Sequence, residues 1–186
     1  SDQKAVLAEV MKEERLDPKD YPPARLLRQI GVLKNHLVGA DEASARSLAD
    51  LPAPLLADVS AAFQKKLEAA GALDFDDLLV RTALLLERDE DVRRKLSRRF
   101  QYILVDEYQD TNTCQYRIAR ALASSHDNLF VTGDPDQSIY GWRGADIGNI
   151  LAFERDFPRA PVVRLEENFR SSPQVLRLAD ELIKAN

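Results

Sequence analysis

The sequence predicts an α/β protein in which a parallel sheet follows an N-terminal helical region. Through the first seventy or so residues, apolar side chains recur at helical spacing. Farther along, short apolar runs of strand length occupy residues 102–105, 129–132 and 162–165. A helical stretch at 115–123 separates the first two runs, and strands that alternate with helices are typical of a parallel sheet.

The N-terminal region contains two amphipathic stripes that begin just after prolines. The first follows Pro22 and Pro23, and the second follows Pro52 and Pro54. Their apolar positions are Leu26, Ile30, Leu33 and Leu37, then Leu56, Val59, Phe63 and Leu67. Residues 39–51, rich in Ala, Ser and Asp, predict a loop between them. We expect a helical bundle that carries no identifiable chemistry.

The helices predicted around the strands have polar starts and apolar faces. Asp74 is placed to cap one helix, and Ser172 with Pro173 suits the N-cap and N1 positions of the last one. The predicted apolar positions are Phe75, Leu78, Leu79, Ala83 and Leu86, then Val175, Leu178, Ala179, Leu182 and Ile183. A charged helix ends near Phe100, and its basic side chains are expected to solvate an exposed face.

Composition limits the kind of protein this is. The formal net charge of -5 argues against a protein that coats nucleic acid over its whole surface, because phosphate neutralisation needs clustered Lys and Arg. The one cysteine, Cys114, is expected to be a buried, small apolar side chain. No apolar run reaches about 18 residues and no signal peptide is recognisable, so we expect a cytoplasmic chain without a membrane partner.

A carboxylate cluster directly follows the first predicted strand. It contains Asp106, Glu107 and Asp110, and ligands of open α/β sheets bind beyond the carboxyl ends of the strands. An Asp at that position can hold Mg²⁺, and a neighbouring Glu can deprotonate an attacking water. Acidic residues after a strand also start turns and cap helices, so both interpretations stay open.

Aromatic and polar residues follow the second predicted strand. Gln137, Tyr140, Trp142 and Arg143 lie close to three glycines, and flat rings on a tight backbone are suited to stacking unpaired bases. The alternative is that Trp142 packs in a core.

An arginine lies between the third predicted strand and the last helix. Arg170 is placed to reach a phosphate across a cleft, where its planar guanidinium can make bidentate contacts. An ion pair with Glu166 or Glu167 is equally compatible with the sequence.

Four motifs in a fixed order carry a family resemblance. They are Asp-Phe-Asp-Asp-Leu-Leu at 74–79, Val-Asp-Glu-Tyr-Gln-Asp-Thr-Asn at 105–112, Gly-Asp-Pro-Asp-Gln-Ser-Ile-Tyr-Gly-Trp-Arg-Gly-Ala at 133–145 and Leu-Glu-Glu-Asn-Phe-Arg-Ser at 165–171. In this order they resemble consecutive motifs of the UvrD/Rep-type DNA helicases of superfamily 1. The resemblance is close from Asp74 to the end of the chain and looser before it.

The resemblance implies a partial RecA-like P-loop NTPase motor domain with a parallel sheet, preceded by an α-helical accessory subdomain. The implied layout is an accessory subdomain at 1–70, the C-terminal part of the first motor domain at 71–165, and the junction to a second motor domain at 166–186. The implied activity is ATP-dependent 3′ to 5′ movement on single-stranded DNA with unwinding of the duplex, in DNA repair or replication.

The resemblance also implies roles for residues in the ATP site. Asp106 would coordinate Mg²⁺, Glu107 would activate the hydrolytic water, and Gln137 would sense the γ-phosphate. Arg170 would stabilise charge on the transferring phosphate. Phe169 takes the place of an aromatic residue, usually Tyr, beside the adenine, and it keeps the stacking face without the hydroxyl.

The DNA contacts that the resemblance implies follow the second predicted strand. Tyr140 and Trp142 would stack on or wedge between bases, with Arg143 near both the DNA groove and the nucleotide cleft. The expected partners are therefore single-stranded and duplex DNA, together with missing parts of the same polypeptide.

One family element does not occur in the sequence. None of the seven glycines is followed by Lys, so there is no Gly-x-x-x-x-Gly-Lys-Ser/Thr loop to cradle phosphates. We therefore expect an internal part of a helicase that does not hydrolyse ATP by itself. Two alternatives are a non-hydrolysing DNA- or protein-binding module derived from such a helicase, and a metal-dependent nuclease using Asp106, Glu107, Asp110 and Asp134.

Overall fold

Helices dominate the chain, and a two-stranded parallel sheet lies in its second half. The computed structural model describes residues 2–37, 51–141 and 144–184. The first helices are α1 (Asp2–Glu13), α2 (Pro23–Asn35) and α3 (Ala53–Ala69). They are followed by α4 (Phe75–Arg88), α5 (Glu90–Arg99), β1 (Ile103–Val105), α6 (Thr113–Ala123), β2 (Leu129–Val131), α7 (Gly148–Leu151), α8 (Phe153–Asp156) and α9 (Pro173–Ile183). Short 3₁₀ turns at Tyr108–Asp110 and Pro135–Gln137 follow the two strands.

The apolar stripes of the first three helices meet in one core. α1 packs against both α2 and α3 and contributes Leu7, Val10 and Met11. The predicted positions of α3 are all buried, and so are those of α2 except Leu37, which lies beyond the end of the helix and is half-buried. The predicted amphipathic helices are therefore confirmed. Most of the predicted loop at 39–51 lies outside the described residues.

The sheet confirms the α/β prediction in its coarse form. β1 and β2 run parallel and are connected through α6, which packs against α4 and α5. The register pairs Ile103 with Leu129, Leu104 with Phe130, and Val105 with Val131. One face of the sheet is exposed through Leu104 and Phe130. The predicted domain boundaries near residues 70 and 165 stay predictions.

The third predicted strand, at 162–165, is wrong. Residues 161–168 form neither helix nor strand, and the sheet of the described residues has two strands. A strand needs a neighbouring backbone to satisfy its hydrogen bonds, and here Val162, Val163 and Leu165 are exposed, Leu165 to 92%. An apolar, β-branched run therefore does not become a strand without a partner.

The predicted helix starts are confirmed, but part of the predicted packing is wrong. Asp74 caps α4, and α9 begins at Pro173 with Ser172 as the N-cap residue. Ala83 and Leu86 of α4 are buried, whereas Phe75 and Leu78 are exposed, because no described residue covers the face of the helix on which they lie. The predicted apolar positions of α9 are likewise exposed.

Two further predictions from the sequence agree with the structure. Cys114 is buried in α6, and burial raises the pKa of its thiol to about 11, so it is not a reactive thiolate at neutral pH. The charged helix α5 ends at Arg99, and most of its basic side chains are exposed. Among the helices in the described ranges, none combines the length and apolar character needed to cross a bilayer.

Candidate functional site

The two strands end side by side and bring Asp106 next to Thr132. Because Val105 pairs with Val131, the residues that follow them lie opposite each other. The Thr132 hydroxyl donates a hydrogen bond to Asp106 Oδ1, and the Glu107 backbone N–H donates to the same oxygen at 3.0 Å. These bonds, the hydroxyl's foremost, lower the pKa of Asp106. The carboxylate is therefore ionised at neutral pH.

Asp106 suits the magnesium role that its position suggests. It is exposed, and no hydrogen bond from the described residues reaches its Oδ2 atom. One carboxylate is enough, because Mg²⁺ commonly uses one or two together with phosphate oxygens and water. In the described ranges, no three or more His, Cys, Asp or Glu side chains are grouped to hold a metal ion, whereas a two-cation nuclease site needs such a group.

Glu107 starts the turn after β1 with an uncommon backbone conformation. Its φ of 51° and ψ of 48° place it in the left-handed region, which non-glycine residues seldom adopt. Residues held in such conformations cluster at functional sites, where surrounding contacts compensate the strain. Here one contact comes from Gln109, whose Nε2 donates to Glu107 Oε2 at 2.7 Å. Gln109 thereby holds one oxygen of the exposed Glu107 carboxylate.

Gln109 links the loops that follow the two strands. It is buried, and its Oε1 accepts a hydrogen bond from the Asp134 backbone N–H at 3.0 Å. The sequence by itself does not single out Gln109 or Thr132. For Thr132, the usable signal is the parallel register: when two strands of the same length are paired from end to end, the first residue after each strand lies next to the other. For Gln109, a single polar residue within a short turn is too weak a signal.

Gly133 permits the close approach of these two loops. A Cβ atom at this position would lie 2.6 Å from Gln109 Oε1, 2.9 Å from Ile150 Cδ1 and 3.2 Å from the Tyr108 backbone nitrogen. Any larger residue would therefore push the loop after β2 away from Gln109.

Gln137 belongs to the same hydrogen-bonded group. It ends the 3₁₀ turn Pro135–Gln137, and its Nε2 donates to Asp134 Oδ2 at 2.7 Å. The other carboxylate oxygen of Asp134 accepts from the Asp136 backbone N–H at 3.0 Å. A continuous series of hydrogen bonds thus runs from Asp106 through Glu107, Gln109 and Asp134 to Gln137.

The residues predicted to contact DNA are only partly within the described ranges. Tyr140 lines a cavity of ≈ 320 Å³ together with Asp110, Asn112, Gln115 and Ala145. Trp142 and Arg143 lie outside the described residues, so neither the stacking role of Trp142 nor its core alternative is tested.

Phe169 and Arg170 are exposed and separate from the series. The backbone N–H groups of Arg170 and Ser171 both donate to Asn168 Oδ1, at 3.0 and 2.9 Å, which holds a turn just before α9. Within the described ranges, the Arg170 guanidinium makes no salt bridge with Glu166 or Glu167. The predicted phosphate role of Arg170 and the adenine role of Phe169 stay predictions.

Comparisons with known proteins give one consistent result. Residues 1–158 match the family described as the UvrD/REP helicase N-terminal domain. Similar proteins include those named ATP-dependent DNA helicase PcrA from Bacillus subtilis, 47% identical over 186 residues, and from Staphylococcus aureus, 46% identical over 186 residues. Each alignment covers 100% of this chain and 25% of the relative, so the chain spans about a quarter of the relatives' length.

Proposed function

We propose that this chain, which belongs to the UvrD/REP helicase N-terminal domain family, supplies half of the ATP site and part of the DNA groove of an ATP-dependent DNA helicase. The observation that carries the proposal is the hydrogen-bonded series from Asp106 to Gln137 at the ends of two parallel strands. The relatives named above are ATP-dependent DNA helicases by name. Movement along single-stranded DNA in the 3′ to 5′ direction and use in repair or replication are part of the proposal.

Each carboxylate at the strand ends has its own part in phosphoryl transfer. Asp106 would hold Mg²⁺, which when bound neutralises charge on the phosphates. Glu107 has one oxygen bonded to Gln109 and would use the other to orient a water molecule and accept its proton. Gln137 is exposed and would contact the γ-phosphate. A motor domain of the RecA-like kind would present these groups to the nucleotide along one edge of its sheet.

The remaining predicted residues complete the proposal for nucleotide and DNA. Tyr140 and Trp142 would stack on bases, which is worth about 1–3 kcal/mol per base, with Arg143 beside them. Arg170 and Phe169 would approach the phosphate and the adenine when the segment at 166–186 takes its place in a second motor domain. The exposure of both side chains leaves them accessible for such contacts.

The 186 residues alone are proposed not to hydrolyse ATP. Positioning and electrostatic stabilisation provide nearly all of the catalysis in phosphoryl transfer. The sequence has no loop whose backbone amides and Lys would hold the phosphates, so Asp106 and Glu107 have no bound nucleotide to act on. The natural non-hydrolysing module stays the second candidate, since it would carry the same motifs.

The test uses the full-length protein that contains this chain, with Glu107→Gln compared with wild type. We expect DNA-stimulated ATP turnover to fall by about 10²–10⁴-fold, the usual contribution of a general base, while ATP binding persists. Glu154→Gln, a change at an exposed glutamate of α8, is the matched control and leaves turnover unchanged. Turnover at the wild-type rate in the full-length Glu107→Gln variant would contradict the proposed role of Glu107. ATP hydrolysis by the 186-residue chain that Glu107→Gln abolishes would contradict the proposal that this chain alone is inactive.

A further inference from the structure

The proposed mechanism leaves one buried polar side chain in the site without a task. Gln109 is 1% exposed, and both the NH₂ group and the oxygen of its side-chain amide are hydrogen-bonded. Its Nε2 donates to Glu107 Oε2 at 2.7 Å, and its Oε1 accepts from the Asp134 backbone N–H at 3.0 Å. A buried amide with both ends satisfied is costly to displace, because a lost bond leaves a desolvated polar atom.

The two partners fix the orientation of this amide. The Glu107 carboxylate presents oxygen atoms that accept, and the Asp134 backbone N–H can only donate. A reversed amide would set its oxygen against the carboxylate and its NH₂ against the N–H. The observed orientation is therefore the one that satisfies both neighbours.

The surroundings also prevent the amide from shifting sideways. Gly133 packs so close that a Cβ atom there would lie 2.6 Å from Gln109 Oε1. The Tyr108 backbone N–H donates to the Thr132 carbonyl at 2.9 Å, and the Ser138 hydroxyl donates to the Gln109 carbonyl at 3.4 Å. Displacement of the Gln109 side chain would thus require one of the two loops to move.

We infer that Gln109 is a positioning residue that holds Glu107 for water activation and couples it to Gln137. One Glu107 oxygen is occupied by Gln109, which leaves the other available to water. When Gln137 moves to contact a γ-phosphate, its 2.7 Å bond to Asp134 moves that residue as well. Because the Asp134 N–H is bonded to Gln109, and Gln109 to Glu107, the displacement shifts the Glu107 carboxylate. The inference rests on the proposed function, because Glu107 needs positioning only if it activates water.

The first experiment replaces Gln109 with Met in the full-length protein that contains this chain. Met has a similar length but cannot bridge Glu107 and Asp134. Because a displacement of about 1 Å can cost on the order of 10²-fold in rate, we expect kcat for DNA-stimulated ATP hydrolysis to fall about 10- to 100-fold. KM for ATP stays close to wild type, and the melting temperature falls only by the few degrees that the lost hydrogen bonds cost. A merely structural role would lower the melting temperature without separating kcat from KM.

The matched control is Gln29→Met, the same chemical change at a buried glutamine of α2. Gln29 belongs to the helical core, and its Oε1 has no hydrogen-bond partner among the described residues. Its replacement is expected to leave kcat and KM unchanged. Equal losses of kcat in both variants would indicate a general packing effect and overturn the inference.

A second variant and a second measurement cover the case in which Gln109→Met does not fold. Gln109→Glu keeps the shape but sets a carboxylate against Glu107, so kcat is expected to fall at least as far as with Met. In the ¹⁵N-labelled 186-residue chain, Glu107→Ala is expected to shift the NMR signals of the Gln109 side-chain amide and the Asp134 backbone amide. Unmoved signals would overturn the proposed geometry.

The outcomes separate this inference from the proposed function. If wild-type protein shows no DNA-stimulated turnover, the proposed function fails and the role of Gln109 fails with it. If wild type turns over and Glu107→Gln abolishes turnover, but both Gln109 variants keep the wild-type kcat, only the inference about Gln109 is wrong.

Discussion

The two halves of the molecule are held together by different kinds of contact. In residues 2–69, α1, α2 and α3 close around an apolar core that runs from Leu7 to Leu67. In residues 74–184, large apolar side chains such as Leu104, Phe130 and Leu165 are exposed, and most of the buried polar residues belong to this half. The half that carries the candidate site is therefore organised by hydrogen bonds around a smaller apolar interior. Its loops are held in place by specific polar partners, as Gln109 illustrates.

Polar contacts also join the two halves. Lys34, near the end of α2, donates to Asp74 at 2.7 Å and to Asp77 at 2.9 Å, both at the start of α4. The next residue, Asn35, donates to Asp76 at 3.1 Å and accepts from Asn112 at 2.7 Å. Because Asn112 caps α6, the end of one helix in the first half is bonded to the beginnings of two helices in the second.

The largest difference between the halves is expected for phenylalanine truncation. Phe63→Ala removes a fully buried ring from the helical core and should lower the free energy of unfolding by about 3–5 kcal/mol. Phe130→Ala is the matched control, because this ring is 59% exposed, and a change of less than about 1 kcal/mol is expected. Urea unfolding of the 186-residue chain measures both. Equal losses would mean that the exposed sheet face is covered in solution.

Much of the helical half could be predicted from the sequence, because helix periodicity and burial follow the same spacing. The stripes at Leu26, Ile30 and Leu33 and in α3 illustrate this. The third strand could not be excluded, because pairing depends on a neighbour that local sequence does not reveal. The placement of Asp106 and Glu107 after β1 was predictable from the apolar run that directly precedes them and from the family resemblance. The bond from Gln109 to the Asp134 backbone was not, since it joins residues 25 positions apart.

Removal of the lysine that joins the halves is expected to have the next largest effect. Lys34→Met leaves the buried carboxylates of Asp74 and Asp77 without their cation, which typically costs about 3–5 kcal/mol. Lys66→Met is the matched control, because Lys66 pairs with the exposed Glu9 and Glu13 and such pairs contribute about 1 kcal/mol or less. If the two variants lost the same stability, the junction would contribute no more than a surface ion pair.

The pH dependence of stability sharpens the same comparison. Burial acts to raise the pKa of Asp77, but hydrogen bonds from Lys34 and the Asp74 backbone outweigh it and leave the pKa lowered. A lowered folded-state pKa gives stability that is present above the ordinary Asp pKa, about 4, and is lost as pH falls through the folded value. Lys34→Met raises that pKa, so the variant should lose less stability than wild type on acidification below about pH 4. An equal loss of the free energy of unfolding on acidification in wild type and Lys34→Met would contradict the view that Lys34 lowers the pKa of Asp77.

The smallest effect is expected on the apolar face of α9. Leu182 is 67% exposed, so Leu182→Ala should change the free energy of unfolding of the 186-residue chain by less than about 0.5 kcal/mol. Leu67→Ala, at a buried position near the end of α3, should cost about 2–5 kcal/mol under the same conditions. A similar cost at both positions would show that α9 packs against another part of this chain in solution. If the full-length protein contains the proposed second motor domain and this domain covers α9, Leu182→Ala should cost more stability there than in the 186-residue chain, towards the cost of Leu67→Ala. An equal, small cost in both proteins would contradict burial of α9 by that domain.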